Sequence, residues 1–74
     1  MTVYRRLGGE SGVLAYRIAA TAISVKFVDG KIYTYTYASA GRAKVEQMKL
    51  LARAGQGLST YINKYVRDDY ATVE

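Results

Sequence analysis

The chain has no cysteine, no histidine, no tryptophan and no proline. Without cysteine there is neither a disulfide framework nor a thiolate metal site, and nothing constrains the redox compartment. The loss of histidine as well removes most zinc sites, the Ser-His and Cys-His nucleophile pairs, and the usual proton shuttle near neutral pH. Six acidic residues remain for hard-metal or carboxylate chemistry, and they are scattered. These absences predict a non-enzymatic protein with no cofactor and no metal. No apolar run approaches the roughly 20 residues of a membrane span, and no signal-like apolar segment follows Met1. The expectation is therefore a soluble cytoplasmic protein with no membrane partner.

What is present is one domain's worth of chain: 74 residues, half of them hydrophobic, with eight Tyr and a single Phe. That length is near the lower end of what one core can hold together without a staple. Eleven Lys and Arg against six acids give a net charge of +5, a basic excess that favours anionic partners.

The stretch from Ala22 to Tyr37, AISVKFVDGKIYTYTY, organises the rest. It consists of two alternating β-type runs joined at Asp29-Gly30, a strong hairpin signal because glycine accepts positive φ without a Cβ clash. Upstream, Val13 to Ala19 alternates with Leu14, Tyr16 and Ile18 on one side, which predicts a first strand. Residues 1–12 read as a flexible arm containing Arg5-Arg6, Gly8, Gly9 and Gly12. Their glycine spacing fits no phosphate-binding loop.

After Tyr37 the helix formers take over. Ser39 is the expected cap and Arg42 to Ala54 the expected helix, with Val45, Met48, Leu51 and Ala52 on one face and Gly55 at its C-terminal stop. Glu46 lies between Arg42 and Lys49 at helical spacing, an ion-pair position. A second helix is expected from about Thr60 to Arg67, capped by Ser59, with Leu58, Tyr61, Ile62 and Tyr65 along its apolar stripe. The predicted architecture is α+β: a three-stranded antiparallel meander with two C-terminal helices on one face (β-β-β-α-α), spanning 13–70 and followed by a tail at 71–74.

The hairpin register decides what Tyr33 and Tyr35 do. A two-residue loop pairs Lys26 with Tyr33 and places the tyrosines opposite the Ile23, Val25 and Phe27 face, beside Lys26 and Lys31. That is an aromatic-basic platform on which nucleic-acid bases could stack. A three-residue loop, Val28 to Gly30, pairs Val25 with Tyr33 and turns the tyrosines into the core, the more economical use of large apolar rings. Cations on the helices, Arg42, Lys49, Arg53, Lys64 and Arg67, would need to converge with Arg17, Lys26 or Lys31 to hold a phosphate backbone. The candidate nucleic-acid contacts are accordingly Lys26, Lys31, Tyr33, Tyr35, Lys49 and Arg53. Two partner classes fit: nucleic acid, RNA first, or alternatively another protein or a second copy of this chain, held at a sheet face or edge that the short helices leave uncovered.

Taken together, Ser24-Val25-Lys26-Phe27, Asp29-Gly30, Tyr33-Thr34-Tyr35 and the following helix resemble the KTSC domain, a small domain named for the C-terminus of lysine tRNA synthetase and also found alone in bacterial proteins. The closing Gly57-x-x-x-Tyr61-Ile62-Asn63 and Tyr70 add to the likeness, which covers 11–70. The family usually has a proline between last strand and helix, where this chain has Ala38 to Gly41. The resemblance implies a small binding domain with RNA as the suspected partner. It assigns no role to Tyr33 or Tyr35.

Overall fold

Val28, Asp29 and Gly30 form the three-residue loop. In the computed structural model, which describes residues 1–7 and 12–74, Phe27 donates its N–H to the Lys31 carbonyl and Gly30 donates to the Phe27 carbonyl, both at 2.9 Å. Gly30 has φ +88°, a left-handed value that a side chain would strain. The Asp29 carboxylate accepts the Lys31 N–H at 2.9 Å, the local bond that makes Asp a turn residue. Beyond the turn, Lys26 pairs Ile32, Val25 pairs Tyr33 and Ile23 pairs Tyr35.

The elements run β1 (Thr2–Val3), β2 (Val13–Ala19), β3 (Ala22–Phe27), β4 (Ile32–Thr36), α1 (Tyr37–Ala40), α2 (Arg42–Ala54), α3 (Leu58–Tyr61) continuing into a π-helical turn at Ile62–Val66, and β5 (Thr72–Val73). The fold is α+β with an antiparallel sheet, but the sheet has five strands in sequential order rather than the expected three. Both additions come from the segments expected to be arm and tail: Thr2 pairs Tyr16, and Val73 pairs Tyr33. Two-residue strands are too short to display an alternation that sequence periodicity could register. The Gly8-Gly9 part of the expected arm lies outside the described residues.

A second irregularity sits in β2. Val13 pairs Phe27 and Ala15 pairs Lys26, so Leu14 is an extra residue, the geometry of a β-bulge. The bulge turns Val13, rather than Leu14, into the core beside Tyr16 and Ile18. The Leu14 carbonyl accepts the N–H of Tyr4 at 2.9 Å.

The helices cover the face formed by Val13, Ile23, Val25 and Tyr35. Val45, Met48 and Ala52 of α2, with Leu58, Ile62 and Val66 further on, complete one buried cluster. The opposite face is open: Ser24 pairs both Arg17 and Thr34, Thr34 pairs Thr72, and Lys26 pairs Ala15 and Ile32. Its residues are mostly short, polar or basic, with Ile32 and Val3 as apolar members. Ser24 Oγ and Thr34 Oγ1 share a hydrogen bond of 2.8 Å, a cross-strand pair that satisfies both hydroxyls.

Helix α2 has the expected bounds, but its entry differs. Thr36 caps the short α1 reciprocally with Ser39, each side-chain oxygen accepting the other's N–H at 3.0 Å, the capping-box arrangement. Gly41, at φ +94°, then separates α1 from α2. Ser39 is thus the third residue of the first turn rather than the cap of the long helix. Gly55 ends α2 at φ +78°, donating to the Leu51 and Ala52 carbonyls, and a Cβ there would lie 3.0 Å from the Arg5 Cβ.

The last helix starts at Leu58, earlier than expected, and Ser59 does not cap it. The N–H of Leu58 is taken instead by the hydroxyl of Tyr4, 3.1 Å away. Tyr4 is 2 % exposed, so the N-terminal segment contributes both a core ring and a helix cap. The π-helical turn places more than the usual number of residues in each turn. Leu58, Ile62 and Val66, four apart, therefore form the buried line, and Tyr65 turns outward at 53 % exposure. Tyr65 was expected on that stripe; the wider turn is the reason it is not.

Candidate functional site

The hairpin register and the wide helical turn meet at one place. A cleft of about 380 Å³ opens between the hairpin tip and the C-terminal segment, lined by Gly12, Phe27, Val28, Asp29, Tyr33, Tyr35, Ile62, Asn63, Arg67, Asp68 and Tyr70. Three of its rings stand edge to face. Tyr33 lies 5.3 Å from Phe27 at 88° and 5.0 Å from Tyr70 at 72° between ring planes. Such contacts hold ring orientation beyond what area burial alone provides, by about 0.5–1.5 kcal/mol each. Tyr70 is brought into place because Ala71 donates to the Thr34 carbonyl at 2.7 Å and β5 pairs with β4.

Tyr35 forms the floor. It is 1 % exposed, so its ring has no open face on which a base could stack. Burial, with Tyr33, Tyr70, Asp68 and Asp69 adding negative potential, pushes its hydroxyl up to about 12. Tyr33 is half-buried, on the helix-covered face and not on an outer platform. Of the two registers the hairpin allowed, the one that would have set the tyrosines on an outer platform is not formed; the rings line the cleft instead.

The expected cations do not converge. Lys26 lies on the open face, in the row next to Arg17. Lys31 is exposed at the end of the hairpin turn, separated by Gly30 from cleft-lining Val28 and Asp29. Arg53 sits in the last turn of α2, where the Arg5 guanidinium donates to its carbonyl at 2.6 Å, a cation placed at the negative end of the helix dipole.

Lys49 is the clearest departure. It is 5 % exposed; its ammonium lies 2.7 Å from Glu46, donates to the Ala20 carbonyl at 3.1 Å and stands 5.5 Å from the centre of the Tyr37 ring. Its ammonium is thus engaged by partners within the fold. Tyr37 donates to Glu46 at 2.6 Å. That bond raises the Tyr37 hydroxyl above its ordinary value, and Lys49, followed by Tyr37, holds the Glu46 carboxyl below the ordinary carboxylate range. The cluster locks α1, α2 and the turn between β2 and β3 together. Glu46 pairs with Lys49 as its spacing suggested, but the lysine, not the acid, is the buried partner.

Phe27, Asn63, Arg67, Asp68 and Tyr70 are cleft residues that the site expectation did not include. Arg67 and Tyr70 carried visible chemistry in the sequence, but their convergence on Tyr33 depends on the π-helical turn and on β5. Among the described residues no group of His, Cys, Asp and Glu is arranged to hold a metal ion, and no helix is long and apolar enough to cross a membrane. Comparison with family models, curated proteins and solved structures finds no match to this chain.

Proposed function

We propose that the protein is a small non-enzymatic binding module for single-stranded nucleic acid, RNA in the first place, engaged at the aromatic cleft. The observation that supports this reading is the cleft itself: three ring systems, Phe27, Tyr33 and Tyr70, gathered beside Arg67, with exposed Lys31 in the same hairpin turn. Bases have a π-face that stacks on aromatic side chains, while the phosphates that follow need cations within reach of the rim. The chain's net charge of +5 supplies a long-range attraction of the right sign. A sequence lacking His and Cys favours binding over chemistry. The KTSC resemblance and a cytoplasmic location belong to the same proposal.

The test is binding of short single-stranded RNA across a salt series. The expected result is measurable affinity at low salt that falls steeply toward moderate salt as counterions are released. Absence of binding at low salt would overturn the reading. A second reading, a protein-interaction module, is favoured by the uncovered sheet face, where Ile32 and Val3 lie among short side chains. Association through that face would respond little to salt and would appear as a mass increase with concentration.

A further inference from the structure

The cleft offers a ligand more than rings. Tyr35 lines it from below: its ring is buried, and its hydroxyl, which makes no hydrogen bond to the described residues, is not a buried unpaired atom and so opens to the cleft. A hydroxyl in that position can exchange water for the polar edge of a ligand. The C-terminal wall carries Asn63, Arg67 and Asp68, and the hairpin tip carries Asp29. Tyr70, at 36 % exposure, keeps part of its ring open. At about 380 Å³ the space is near the lower end for ligand sites, which run from about 300 to 1,000 Å³. That suits one planar ring system rather than a stacked pair.

We propose that the cleft holds one unstacked nucleobase, guanine in preference to the others, with its ring against Tyr33 and Tyr70 and its polar edges facing Asp68, Arg67 and the Tyr35 hydroxyl. The proposal rests on the nucleic-acid reading and deepens it. Guanine is the base that presents two adjacent donors, N1–H and the N2 amino group, to a carboxylate and two acceptors, O6 and N7, to a guanidinium. Cytosine and adenine offer a single amino group on the pairing edge, and uracil a single N–H. The Asp68 carboxylate on the wall favours the donor-rich edge and disfavours a phosphate beside it, which leaves the phosphate at the rim near Lys31. Sequence reading would then come from the cleft, while the cations outside it position the strand.

The closing experiment titrates the full chain with each of the four common ribonucleoside monophosphates and with inorganic phosphate, followed by residue-resolved NMR. The guanine nucleotide should shift Tyr33, Asn63 and Tyr70 and bind about tenfold more tightly than the other three, the discrimination expected of a good paired contact. Asp68→Asn, an exposed and nearly isosteric change, should reduce that preference to within about twofold. Tyr70→Leu should weaken all four nucleotides alike. Equal shifts from every nucleotide, the same shifts from inorganic phosphate, or an unchanged preference in Asp68→Asn would overturn the proposal. A parallel RNA titration separates the two levels. RNA bound without any cleft shift overturns the base pocket and leaves the nucleic-acid reading standing, whereas no RNA binding at low salt overturns both.

Discussion

The two faces of the sheet are built from the same strands, yet one carries Ile23, Val25 and Tyr35 under the helices and the other carries exposed Arg17, part-exposed Lys26 and Thr34, and Ser24, buried between its strand neighbours. A single residue in the hairpin loop separates these outcomes from their inverse, because the side-chain period of a strand is two. Gly30 at φ +88° and the Asp29 bond to Lys31 select the longer loop. The tyrosines consequently serve the core and the cleft at its end, and the outer face is left with hydroxyls, short side chains and two cations. The faces should differ sharply in their response to substitution.

The largest effect should come from the covered face. Tyr35→Ala removes a floor ring that is 1 % exposed and should cost about 3–5 kcal/mol in denaturant unfolding, as other large aromatic truncations do. A loss under about 1 kcal/mol would place Tyr35 outside the core. Alkaline titration probes the same residue without mutation. Its hydroxyl is raised from 10.0 to about 12, so the neutral form is favoured in the folded chain. The associated stability is complete below pH 10 and lost as pH rises through the interval from 10 to about 12. Tyrosinate absorbance should show a late-titrating step that Tyr35→Phe abolishes.

Smaller is the contribution of the segment that joins the covered face from the N-terminus. Tyr4→Phe keeps the ring but strips the Leu58 N–H of its acceptor, and should lower stability by about 1–2 kcal/mol, the usual cost of a lost helix cap. Calorimetric unfolding of the two proteins side by side would measure it; no change would mean that water takes the bond equally well. Least affected should be the open face. Thr34→Val breaks the Ser24 hydroxyl pair but gains a β-branched side chain of like shape, so the shift should stay within about 0.5–1 kcal/mol. Equal losses for Thr34→Val and Tyr35→Ala would erase the contrast between the faces.

Much of this arrangement was legible in the residues. The run from Arg42 to Ala54 with Gly55 behind it specifies α2 because propensity, apolar spacing and the stop residue agree. The three alternating runs specify β2, β3 and β4 for the same reason, and the hairpin residues narrowed the register to two choices, of which the more economical core is the one formed. What escaped was set by partners distant in the chain. β1 and β5 exist only because neighbouring strands offer free edges, the bulge at Leu14 depends on pairing with Phe27, and Tyr65 faces outward because of a π-helical turn that no spacing rule announces. Lys49 looked like a surface cation, since nothing local shows that Ala20 and Tyr37 will enclose it. The candidate site was legible only in part: Tyr33 and Lys31 lie in or beside the cleft, whereas Asn63, Arg67 and Tyr70 reach it through those same long-range features.

On the proposed function, the cleft at the end of the covered face, and not the open face, receives a single strand of nucleic acid. Residue-resolved NMR of the full chain titrated with a short single-stranded RNA at low salt tests it most directly. Shifts concentrated at Tyr33, Asn63, Arg67 and Tyr70 are the predicted result, whereas shifts confined to Arg17, Ser24, Lys26 and Thr34 would contradict it.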